Sequence, residues 1–179
     1  MGAADPNPRS ADTLLESLAS SRYAQLRTFR RDGRAVDTPM WFHLDGDTLV
    51  FRTKIGPKTR RLLANPHVEM WPCDYRGRYA DRTPTIGGQA TILSGGAVEP
   101  ANRVLQKRYG WQYIVVPMLK VPGVKNVDHQ LPLREKLRRA TTKKIWPDSA
   151  IVEVKLTSAD ARTAVPETVS APDDSPRRG

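Results

Sequence analysis

The sequence has little of what most structural and catalytic devices require. Its single cysteine, Cys73, excludes an internal disulfide. Three scattered histidines, His43, His67 and His129, exclude with it an ordinary structural zinc site, so no metal is expected. No apolar run approaches the ~18–20 residues that span a bilayer; the longest, residues 113–119, is far shorter. Residues 1–10 are polar, carry proline and lack a signal-peptide core, and Pro6 stands where a myristoylation motif needs Ser or Thr. These features predict a cytoplasmic protein with no membrane span. There is no G-x-S-x-G elbow, Walker loop or G-x-G-x-x-G. Catalytic side chains are therefore not expected, and an enzyme of this composition would take its chemistry from a bound cofactor.

Acidic residues are also scarce: 29 Lys and Arg face 19 Asp and Glu, for a net charge of +10. Most of the excess sits in residues 103–144, where eleven cations meet only Asp128 and Glu135. Such a surface favours anionic partners: a phosphorylated or carboxylated cofactor, nucleic acid or anionic lipid.

The ends, residues 1–10 and 160–179, read as disordered tails rich in Pro, Ala, Ser, Asp and Arg, with too little apolar surface to offset their ordering entropy. Residues 11–159 then form one domain. Leu14, Leu15 and Leu18 predict an opening helix with Ser10 as its N-cap. Residues 23–31, 35–44 and 48–53, separated by Asp32-Gly33 and Asp45-Gly46, predict a three-strand meander. A helix over Pro57–Ala64 stops at Asn65-Pro66. Strands follow at 67–71 and 85–93, the second holding Gly87-Gly88, which suggests a bulge or close backbone approach. A helix over 100–109, a basic helix over 131–140 and a last strand over 150–156 complete the reading. The fold class is mainly β: a six-stranded antiparallel split β-barrel with short helical insertions.

Two stretches carry chemical promise. Residues 52–61 leave a strand, turn at Gly56-Pro57 and enter a helix with Arg52, Lys54, Lys58, Arg60 and Arg61. With the hydroxyls of Thr53 and Thr59, this composition suits a phosphate at a helix start. By itself, such a charge run is more often a solvated helix face. The second stretch is Thr38-Pro39-Met40-Trp41, where proline interrupts strand pairing beside aromatic surface on which a flat ring can lie. By itself it reads more simply as strand and core packing.

Taken in order, these pieces resemble the split-β-barrel flavin and deazaflavin oxidoreductases related to pyridoxamine-phosphate oxidase, and most of all the actinobacterial branch that uses coenzyme F420. The resemblance runs through residues 26–33, 38–42, 51–53, 58–62, 65–70 and 72–74, and more weakly through 107–110 and the last strand. It implies a homodimer with two cofactor sites at the subunit interface and a small-molecule substrate. It implies that Lys58 and Arg60, with Thr59, hold the cofactor phosphate, that Arg52 and Thr53 contact the ribityl-phosphate or ring edge, that Thr38, Pro39, Met40 and Trp41 line the ring, and that Pro72 and Cys73 approach it. The sequence departs from the family at Pro57, which lacks the N–H of the Gly or Ser found in relatives. FMN in the same fold is an alternative, because its phosphate suits the same cations. A reading of another class is a non-enzymatic nucleic-acid-binding module built on residues 103–144, with Trp111, Tyr113 and Trp146 as stacking platforms, although no recognised nucleic-acid motif is present.

Overall fold

A computed structural model describes residues 8–80, 83–115, 132–142 and 144–163. It contains helix α1 (Pro8–Ser20), strands β1 (Tyr23–Phe29), β2 (Ala35–Met40), β3 (His43–Asp45) and β4 (Thr48–Lys54), helix α2 (Pro57–Ala64), strands β5 (His67–Cys73) and β6 (Pro84–Ile92), a 3-10 turn at Gly95–Ala97, helices α3 (Val98–Tyr109), α4 (Gln112–Val115) and α5 (Leu133–Thr141), and strand β7 (Ser149–Thr163). The opening helix begins before Ser10, which is therefore inside it and not its N-cap. The last strand runs through Ala159 to Thr163. No helix among the described residues is long and apolar enough to cross a membrane.

The strands form one antiparallel sheet in the order β2-β1-β5-β6-β7-β4-β3. Seven strands replace the expected six because residues 35–44 are two strands, broken at Trp41-Phe42. The expected meander is likewise two separate hairpins. β1 pairs with β2 across Asp32-Gly33, where Gly33 has φ +82°, and β3 pairs with β4 across Gly46. The hairpins sit at opposite margins of the sheet, yet only two residues join them. Six interstrand spacings of about 4.8 Å would hold the margins of a flat sheet roughly 29 Å apart. The chain from Met40 to His43 reaches at most about 11 Å. The sheet therefore has to curl into a barrel.

Alternation fills that barrel. Ala24 and Leu26 of β1, Met40, Leu49 and Phe51, Val68 and Met70, Ile86, Val152 and Val154 point inward. Leu14 and Leu18 of α1 pack on this core at the end where β1 begins, and Leu62 of α2 enters it from the end where β1 finishes. The predicted irregularity in β6 is present: the register with β7 shifts between Thr85 and Gly87. At Gly88 a Cβ would lie 2.7 Å from Val154 Cγ1 and 2.9 Å from the Lys155 carbonyl, so only glycine lets the two backbones approach this closely.

Outside the β4–β7 wall, Val50 and Ile151 pack with Leu105, Tyr109 and Tyr113 in a second apolar cluster. Tyr109 ends α3 and reaches the seam. Its hydroxyl accepts the Phe42 N–H at 2.9 Å and faces the carbonyl oxygens of Phe42 at 2.6 Å and Arg22 at 3.1 Å. Phe42 itself is fully buried, so no water replaces that partner. We predict that Tyr109→Phe lowers unfolding free energy by about 2–4 kcal/mol, because it orphans a buried donor and acceptor; urea denaturation of the two proteins measures this.

Candidate functional site

The turn from β4 into α2 follows from its residues. Pro57 opens the helix, where a missing N–H costs nothing. The Gly56 N–H donates to Thr59 Oγ1, and that hydroxyl donates back to the Gly56 carbonyl, both at 2.9 Å. Thr59 thus closes the helix start, and its single proton is committed there. Asn65 ends the helix, its N–H bonded to the Arg61 carbonyl, before Pro66.

On this helix Lys58 and Arg61 lie three residues apart and share a face, whereas Arg60 is exposed and turned away from it. Lys58 is partly buried, its Nζ 5.9 Å from the Phe51 ring centroid. Arg61 donates through Nε to Thr28 Oγ1 at 2.9 Å, and Thr28 is fully buried and donates to the Val36 carbonyl at 3.2 Å. Burial, and secondarily Arg61, pull Lys58 from 10.5 down to about 8. Burial also lowers Arg61, with Arg30 adding to the effect. Neither Lys58 nor Arg61 forms an ion pair with a carboxylate among the described residues. Two cations, Lys58 and Arg61, are therefore held close together without a carboxylate partner, with the exposed Arg30 near enough to act on Arg61 while also facing Asp32. An arrangement of that kind fits a phosphate group, which supplies the missing charge and accepts from Lys as a point donor and from Arg as a fork.

The rest of the predicted set divides. Arg52 lies on the other face of β4. Its guanidinium stacks 3.9 Å from the Tyr113 ring centroid and 4.4 Å from that of Trp146, and it donates to the Tyr113 carbonyl at 2.8 Å. Lys54 shares that outward row, 3.6 Å from Asp148. Thr53 is inward by alternation with Phe51 and is partly buried at the strand end that leads to α2. Ala24 and Leu26 of the core face Met40 and Thr38 in register, which puts Thr38 and Met40 on the inward row of β2, with Met40 buried. Pro39 is on the outward row opposite Gln25. Trp41 stacks on Tyr109, centroids 4.8 Å apart and planes 10° apart.

Pro72 and Cys73 face Ala24 and Tyr23 at the start of β1. Thr28 lies four positions beyond Ala24, roughly 14 Å along the strand, so this pair is remote from Lys58. Both border a cavity of about 510 Å³ with Ser17, Ser21, Thr83 and Pro84. Burial, and secondarily Asp74, push the Cys73 thiol up to about 12, so it carries no thiolate at neutral pH. The structure thus brings together Lys58 and Thr59 with Arg61, which belonged to the predicted cation run but not to the cofactor set, and with Thr28 and Arg30, which the sequence reading had not assigned to the site. The i, i+3 spacing of Lys58 and Arg61 was the available signal; Lys58 and Arg60 are two apart, a spacing that does not share a helix face.

Residues 10–145 match the sequence family described as pyridoxamine 5'-phosphate oxidase. No curated protein sequence matches the chain. Among solved structures, the chain is similar to a protein of unknown function from Agrobacterium tumefaciens (TM-score 0.51, 14% identity, 90% of this chain and 61% of that one). It is also similar to the heme storage protein HutZ from Vibrio cholerae (0.50, 13%, 84% and 89%). A third likeness, to an F420 reductase (0.44, 23%, 79% and 92%), bears on neither fold nor cofactor at that score. At these identities the first two show the fold alone.

The electrostatics of Lys58 generate a paired expectation. A fall from 10.5 to about 8 corresponds to a cost on the order of 3 kcal/mol for keeping the charged form in the folded protein. That cost is fully present below pH about 8 and is relieved as pH rises from there toward 10.5, so Lys58 makes the unliganded protein more stable across that interval. Lys58→Met should raise ligand-free stability at pH 7 by about 1–3 kcal/mol, read by thermal or urea unfolding. Affinity for a phosphate-bearing ligand should move the opposite way, falling as pH rises through about 8, and Lys58→Arg should remove that dependence.

Proposed function

This chain belongs to the pyridoxamine 5'-phosphate oxidase family, and on that premise we propose that it is an F420-dependent oxidoreductase acting on an unsaturated small molecule, with the cofactor phosphate held by Lys58 and Arg61. The observation that carries the reading is the un-neutralised pair of Lys58 and Arg61 at the barrel end closed by α2. Isolated charges half-sunk in protein are costly, and a bound phosphate removes the cost. The F420 assignment within this reading rests on the sequence resemblance of residues 26–74.

Each residue has a distinct task in this proposal. Lys58 supplies a point charge, and its burial strengthens the interaction by excluding water. Arg61 supplies directional donors and is fixed by Thr28, which is in turn fixed by Val36. Thr59 contributes by closing the helix start and not as a ligand. Arg52 contributes by clamping the outer helices to β4 and not at the ring. β2 pairs with β1 without a break through Pro39, opposite Gln25, so the expected interruption is absent and Pro39 offers a ring only its own outward face. When bound, reduced F420 supplies a hydride from C5 of its deazaflavin; the protein's part is orientation, electrostatics and exclusion of water. The homodimer with sites at the subunit interface belongs to the same proposal, and a mass of two chains by light scattering is its expected signature.

The first experiment titrates the protein with F420 and, separately, with FMN, following cofactor fluorescence at moderate salt. The proposal expects F420 to bind at least about tenfold more tightly. It further expects Lys58→Ala to weaken binding by about 1.5–3 kcal/mol, the scale of a charge-assisted hydrogen bond. Preference for FMN would transfer the chemistry to flavin, because the same cations suit its phosphate. Unchanged affinity in Lys58→Ala would remove the phosphate site from α2.

A further inference from the structure

The strongest unused feature is the outer surface of the helical layer. α3 packs on β4 through Leu105 and Tyr109. α5 is anchored outside the same wall: its buried Arg139 lies 4.8 Å from the Trp146 ring centroid, whose neighbour Arg52 rises from β4. α4 touches both helices. Their outward rows therefore belong to one surface. On α3 that row carries Arg103 and Lys107 and leads to Trp111 just beyond the helix; on α5 it carries Arg134 and Leu137. Trp111 is 68% exposed and Leu137 60%. Arg103, Lys107 and Arg134 meet no carboxylate at ion-pair distance among the described residues. Glu135, the acidic residue of α5, is already taken by Arg138 and Arg139 at 2.8 and 3.0 Å.

We propose that this face docks on anionic lipid bilayers, with Trp111 and Leu137 entering the headgroup boundary and Arg103, Lys107 and Arg134 facing lipid phosphates. Exposed tryptophan and leucine ringed by cations match the chemistry of an interfacial anchor. A second copy of the chain is disfavoured, because like-charged faces repel. Nucleic acid is disfavoured because stacking needs aromatic platforms, and two of the three predicted ones, Tyr113 and Trp146, are only 2% and 3% exposed beside Arg52. Leu137, exposed and aliphatic, contributes to lipid burial but not to base stacking.

Flotation of the full chain with phosphatidylcholine vesicles, with and without about one-third phosphatidylglycerol, tests the proposal. Binding is expected to the anionic vesicles alone and to fall at least about tenfold between low and high salt. The paired change Trp111→Ala and Leu137→Ser should weaken it by about 5–20-fold, and Lys107→Glu with Arg134→Glu should abolish it. Circular dichroism should show both variants folded, since all four positions are exposed. Lys58→Ala should float like the parent, which separates this surface from the phosphate site. No binding to anionic vesicles, or equal binding by the Trp111→Ala, Leu137→Ser protein, overturns the proposal. Trp111-dependent binding to polyuridylate without vesicle binding would replace it with a nucleic-acid surface.

Discussion

Two residues, Trp41 and Phe42, hold the two margins of a seven-stranded sheet together, and most of the molecule follows from that short join. Because the margins have to meet, the sheet closes and its inward rows become a single core. The join leaves the Phe42 backbone without a ladder partner in a dry setting. Tyr109 meets that need from the end of α3, so the helix is positioned by the seam it satisfies. Trp41 then stacks on the same ring, and the second apolar cluster grows outward from there.

Charge is treated in two contrasting ways at the two ends of β4 and α2. On the outward face, Arg52 lies between Tyr113 and Trp146, Arg139 covers Trp146, and Asp148 accepts from Arg139. These cations are matched by rings and carboxylates and serve to fasten α5 and the segment before β7 to the barrel. At the α2 end, Lys58 and Arg61 are close, desolvated and without a carboxylate. A stable core has no use for such an arrangement, which works against folding wherever the charges stay unmatched. Its retention is explained if a phosphate-bearing ligand provides the counter-charge.

Local signals in the sequence were legible because they depend on near neighbours. Asp32-Gly33 marked a hairpin whose glycine needs a positive φ, Pro57 and Asn65-Pro66 bounded α2 to the residue, and Gly87-Gly88 marked the irregularity in β6. Errors arose where the deciding partner is distant. Residues 35–44 have the composition of one strand, and only barrel closure splits them. The five-cation run of residues 52–61 looked like one site, yet strand alternation sends Arg52 outward and helical spacing separates Arg60 from Lys58. The cation cluster at the start of α2, where the proposal puts a phosphate, was readable from residues 58–61; its neighbours were not, because Thr28 and Arg30 come from β1 and its hairpin.

Fold class, turn positions, the helix that follows β4 and the family of the chain are all legible from the order of residues, since each depends on composition and short-range order. Which cations are matched and which are left open emerges only when the sheet closes. That outcome depends on aromatic and carboxylate partners far along the chain, whose distances are set by the closing of the sheet and by no local pattern of residues.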